Sequence, residues 1–94
     1  MNLHEESERG HHARLMLENP LFVEVTTSLR DGITEKWRSC PLRDREGAHE
    51  LKLMDKLLTD FIAAFRHIAE TGRMADIQLE QDKKIARLKK AGIR

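Results

Sequence analysis

Residues 51–68 read LKLMDKLLTDFIAAFRHI, and the spacing of their large apolar side chains decides the fold class. Leu51, Met54, Leu58, Phe61, Phe65 and Ile68 recur at intervals of three, four, three, four and three, a 3.5-residue repeat sustained for nearly three heptads. That period lines one face of an α-helix and does not fit a strand, whose side chains alternate with period two. Leu53, Leu57, Ile62 and Ala64 widen the stripe beyond a two-stranded seam, as in a helix that packs on more than one neighbour. Outside the stripe, Lys56 with Asp60 and Arg66 with Glu70 stand at the i,i+4 spacing of ion pairs, each expected to contribute a few tenths of a kcal/mol.

Working outward, Ser39-Cys40-Pro41 interrupts the helical pattern, and Pro41 or Asp44 opens the long helix, with Asp44 and Glu46 at the positive end of its dipole. Gly72 is placed to end it as a left-handed cap, so the helix is expected to stop at Thr71. Upstream, Asn19-Pro20 reads as a cap followed by proline in the first turn. From there Phe22, Val25, Leu29, Ile33 and Trp37 fall on one helical face. The β-branched residues of 21–27 allow a rival strand, but no second strand candidate exists to pair with it. The short connection between the two amphipathic helices favours antiparallel neighbours, a helical hairpin over residues 19–72.

Two flanking segments complete the chain. Residues 1–18 form a histidine-rich arm or short helix, expected to fray because Gly10 sits in its middle and Leu15, Met16 and Leu17 cluster at one end. Residues 73–94 form a basic helix or tail, resuming at Met74 with Ile77, Gln81, Ile85 and Leu88 on a sparse apolar face. The fold class is therefore all-α: an antiparallel hairpin with one long central helix, a short N-terminal arm or helix and a basic C-terminal helix. Size adds to this. About 27 helical residues span roughly 40 Å, whereas a compact chain of this length has a radius of gyration of about 12 Å. The wide stripe on so long a helix predicts an oligomeric bundle.

Composition restricts function. The 94 residues carry 17 Lys and Arg against 16 Asp and Glu, a formal charge of +1, which gives no global bias toward nucleic acid. Residues 1–72 hold ten basic and thirteen acidic groups and residues 73–94 seven and three, so the basic part is the tail. No apolar run approaches the roughly 20 residues of a membrane span. With its single cysteine, Cys40, and a charged, histidine-rich start, the chain reads as cytoplasmic. The five histidines include no pair at i,i+3 or i,i+4 and no Cys-x-x-Cys accompanies them, so neither a metal nor any other cofactor is expected. Cys40 reads as a turn residue rather than a nucleophile, and no glycine-rich loop or catalytic signature is present; the chain is not expected to be an enzyme. Trp37, Phe61 and Phe65 are expected in the core, where the two stripes meet.

The order of an Asn-Pro helix start at Asn19-Pro20, Trp37, a charged turn at Arg43-Asp44-Arg45-Glu46, a Lys-Leu-Leu run at Lys56–Leu58 and a glycine at Gly72 resembles small, uncharacterised helical-hairpin proteins of tailed bacteriophages and prophages. Their genes lie among those for head and DNA-packaging proteins. The likeness covers about residues 18–78 and implies a viral or prophage origin and a place in virion assembly, in the host cytoplasm or the virion; it supplies no catalytic residues.

The expectation is thus a non-enzymatic interaction protein that self-associates or docks on a head or packaging component through Leu51, Leu53, Met54, Leu57, Leu58, Phe61, Ile62, Phe65 and Ile68. The alternative is a small dimeric nucleic-acid-binding or regulatory factor that grips phosphate with Lys83, Lys84, Arg87, Lys89 and Lys90, a salt-sensitive mode.

Overall fold

The computed structural model describes residues 1–92; the last two residues of the expected basic segment lie outside the described residues. The described chain is three α-helices: α1, Leu3–Glu18; α2, Pro20–Ser39; and α3, Arg45–Lys90, a single helix of 46 residues. No strand occurs among the described residues, so residues 21–27 belong to a helix despite their β-branched content. Thr26 turns its hydroxyl back to donate to the carbonyls of Phe22 and Val23, at 2.8 and 3.1 Å, which accommodates it in helical backbone.

The helix starts follow from local chemistry. Asn19 accepts hydrogen bonds from the Leu21 and Phe22 amides and Pro20 opens α2, as the sequence predicts. Asp44 caps α3 through the Gly47 amide at 2.9 Å. Asn2 caps α1 through the Glu5 amide, with the Glu5 carboxylate taking the Asn2 side-chain amide in return. This start runs ahead of the frayed arm expected from Gly10: α1 is helical throughout. The helix stop moves as well. α3 passes through Gly72 without a break, and the left-handed glycine that closes it is Gly92, with φ of 76°.

Two compact units divide the chain: Met16–Phe65, and Met1–Leu15 with Arg66 onward. In the first, Phe22 near the start of α2 meets Phe65 at a ring-centroid distance of 5.4 Å, edge to face, and Phe61 at 6.4 Å. Farther along, Arg30 donates to the Thr59 hydroxyl at 3.3 Å. Ile33 and Trp37 flank a cleft with Ala48 and Leu51 on its other wall. Partners on α3 therefore fall in number as positions on α2 rise. Ala48, Leu51, Leu58, Ile62 and Phe65 are half-buried, on a 3.5-residue spacing.

In the second unit the contact is of another kind. Its buried residues are Gly10 and Ala13 of α1 and Gly72 and Ala75 of α3, with Ala75 only 2% exposed. A Cβ built on Gly10 would lie 2.5 Å from the Gly72 Cα and 3.2 Å from the Ile68 carbonyl oxygen. One built on Gly72 would lie 2.9 Å from the Glu6 carbonyl oxygen. The two helices cross backbone to backbone, an approach that only glycine permits. Asp76 then receives the Ser7 hydroxyl and faces Arg14 at 4.0 Å, tying α1 to α3 beyond the crossing.

Candidate interaction surface

The apolar residues left uncovered are the feature that sets this chain apart. Among the described residues no large side chain is fully buried, while Leu57 is 68% and Phe61 52% exposed. The expected interface residues divide between two environments. Leu51, Leu58, Ile62 and Phe65 are half-buried, and Ile68 is half-buried with its carbonyl beside Gly10. Leu53, Met54, Leu57 and Phe61 are exposed. At about 100° per residue, Met54, Leu57 and Phe61 share one side of α3, set off from the half-buried line. On α2, Leu21, Val25 and Leu29 are likewise exposed and share one side. Gly32 continues that side, and a Cβ there would meet nothing within 4 Å.

Trp37 departs from its expected place. It is 61% exposed and lines a cleft with Lys52 and Asp55, its helical phase placing it about 60° around α2 from Phe22, at the edge of the packing face. The cleft holds about 420 Å³, and His49 and Thr34 also line it. Phe65 does join the aromatic cluster with Phe22, and Phe61 stacks edge-on to Phe65 at 5.2 Å while keeping its outer side open.

The basic end of α3 is wholly exposed from Gln81 onward. Arg87 reaches Glu80 at 3.9 Å, whereas among the described residues no carboxylate lies within 4 Å of Lys83, Lys84, Lys89 or Lys90. Met74, Ile77, Ile85 and Leu88 are also exposed there. Arg73 donates twice to Glu70, at 3.0 and 2.5 Å; this hydrogen bonding, more than the charge itself, holds the Glu70 carboxyl below the usual glutamate range.

Among the described residues no group of three or more His, Cys, Asp or Glu side chains is placed to hold a metal ion. Cys40 is half-buried at the end of α2, its thiol 3.6 Å from the Asp44 carbonyl oxygen. No described helix is long and apolar enough to cross a membrane. What sequence reasoning missed is the Gly10–Gly72 crossing, although its signal is legible: Gly-His-His-Ala at 10–13 and Gly-Arg-Met-Ala at 72–75 repeat the same small-x-x-small spacing in both helices.

The described residues form an all-helical chain with exposed apolar rows on α2 and α3. No protein-family model, curated protein or solved structure matches it.

Proposed function

We propose that the protein is a non-enzymatic helical association module, with α2 and the first half of α3 acting as an antiparallel hairpin that self-associates into a bundle. The falling order of contacts, Phe22 with Phe61 and Phe65, Arg30 with Thr59, Trp37 beside Ala48, supports the hairpin. In that arrangement the Arg30–Thr59 bond and the Trp37 cleft mark one side of the seam. Leu21, Val25 and Leu29 then share the other side with Met54, Leu57 and Phe61, because helical phase carries both sets away from the cleft.

The observation that carries the reading is this joint apolar side. Six large side chains there, each about half exposed or more, amount to roughly 600 Å², the upper end for a patch on a monomer. The area approaches the roughly 800 Å² per partner of a standard protein interface. The likeness to phage hairpin proteins adds a place of action, among head and packaging components, which the neighbouring genes would test.

Light scattering over a concentration series is the direct experiment. The wild type is expected to associate, and Leu57→Glu to be monomeric with unchanged helicity by circular dichroism. A wild-type protein that stays monomeric at the highest concentration reached refutes the reading.

A further inference from the structure

We infer that the occupant of this apolar side is the C-terminal segment of α3, residues 74–90, from a second copy of the chain; the inference rests on the association just proposed. Within its own unit the segment meets α1 through Gly72 and Ala75, and this leaves a second face open. Met74, Ile77, Ile85 and Leu88, all exposed, fall within about 80° of one another around the helix. Lys84 borders that arc on one side and Lys89 on the other, both exposed and both without a carboxylate within 4 Å among the described residues.

Charge selects the partner. Pairing two such segments side by side sets lysine against lysine, which disfavours a simple tail-to-tail coiled coil. The apolar side of the hairpin carries the opposite sign at its margins. Glu24 and Glu35 lie on the outer edge of α2 and Asp60 on that of α3, while Glu50 falls in line with Met54, Leu57 and Phe61; all four are exposed and none is within 4 Å of a described cation. Lys36 is the one cation whose helical phase brings it to that side. A basic helix laid between α2 and α3 would set its apolar arc on Leu57 and Phe61 and direct its two bordering lysines to acidic margins on either side. Fifteen residues from Met74 to Leu88 span about 22 Å, against roughly 30 Å for the 20 residues of α2. The docked segment becomes the third helix of a bundle, and because it comes from another copy the contact is heterologous and propagates from chain to chain. Rim charges of this kind contribute little individually but fix which segment docks and in what register.

Reciprocal charge swaps in the full chain test this. One variant carries Glu24→Lys and Asp60→Lys, the other Lys84→Glu and Lys89→Glu, with circular dichroism confirming that each is helical. Each alone is expected to self-associate at least tenfold more weakly than the wild type by light scattering. An equimolar mixture recovers association, because each variant then meets the opposite sign on its neighbour, and the recovered complex weakens with salt. Wild-type association in either variant alone, or two weakened variants that do not rescue each other, overturns the assignment. If Leu57→Glu still dissociates the wild type in that case, the apolar-side reading survives without it. Titration with duplex DNA separates the remaining use of the lysines: DNA binding lost in the Lys84→Glu, Lys89→Glu variant with self-association intact assigns them to phosphate instead and refutes the docking.

Discussion

Replacing Gly72 by alanine tests whether the α1–α3 crossing holds its unit together. Anywhere in an exposed helix interior the change is stabilising, by about 1 kcal/mol, because alanine loses less backbone entropy than glycine. Gly32 is such a position, with nothing within 4 Å of an added Cβ. At Gly72 the same methyl would stand 2.5 Å from the Gly10 Cα and 2.9 Å from the Glu6 carbonyl oxygen. Both obstacles are backbone, so no side chain can rotate away and α1 itself has to shift. Overpacking of this sort costs about 1–3 kcal/mol. Moving α1 also loosens the cover over Ala13 and Ala75 and separates Ser7 and Arg14 from Asp76. Gly72→Ala is therefore expected to be destabilising by about 1–2 kcal/mol after its propensity gain, while Gly32→Ala is stabilising. For a chain of this size 1 kcal/mol moves the melting temperature by about 4–8 °C, so the two variants are expected on opposite sides of the wild type, roughly 10–20 °C apart. Thermal circular dichroism at one fixed protein concentration reads the shift, and amide hydrogen exchange shows whether the lost protection falls in α1. A Gly72→Ala protein as stable as Gly32→Ala, or one whose α1 amides keep their protection, refutes the reasoning.

Other expectations rest on single contacts. Asn19→Ala removes the acceptor for two amides at the start of α2 and is expected to cost about 1 kcal/mol in chemical denaturation; an unchanged midpoint counts against the cap. Phe65→Ala removes a half-buried ring that meets both Phe22 and Phe61, and is expected to cost at least about 2 kcal/mol in a monomeric Leu57→Glu background. Phe61→Ala in the same background costs less, because the ring is 52% exposed, and its larger effect falls on association. Arg73 donates to Glu70 and lowers its carboxyl, so this pair's contribution is complete above the ordinary glutamate range and lost as pH falls through the lower folded value. Arg73→Gln is expected to return the Glu70 titration upward, measured by carboxyl carbon NMR, and no movement disproves the link.

The periodic stretches were legible and the glycines were not. The 3.5-residue repeat of 51–68 foretold a long helix because large side chains at that spacing permit little else, and Asn19-Pro20 marked its helix start through local hydrogen bonding alone. Gly10 and Gly72 are ambiguous in sequence: a glycine weakens a helix by propensity, ends one by its left-handed freedom, or lets another backbone approach. Which role applies depends on what lies across from it, so a frayed arm and a helix stop were expected where the chain forms one crossing. Trp37 was misplaced for a related reason. Periodicity put it on the packing face, but it stands about 60° around the helix from Phe22, at the edge of that face, beside an open cleft. For the candidate surface, sequence supplies positions but not exposure. Its nine residues were all found on α3, yet only the structure distinguishes the half-buried Leu51, Leu58, Ile62, Phe65 and Ile68 from the exposed Leu53, Met54, Leu57 and Phe61.

That division leads to a consequence for stability. Among the described residues the two buried apolar side chains, Ala13 and Ala75, are alanines; none of the larger ones is fully buried, and many of them, Leu57 and Phe61 included, are exposed. Helices hold their shape mainly through packing of an amphipathic face rather than through propensity, and here much of each face has no cover within its own chain. The proposed association between copies would make stability a function of concentration, since whatever binds the folded state alone stabilises it by mass action. The melting temperature is therefore expected to rise with protein concentration in the wild type and to stay flat in Leu57→Glu. A flat wild-type curve would place the stability within the single chain and leave the exposed leucines and phenylalanine without a role in folding.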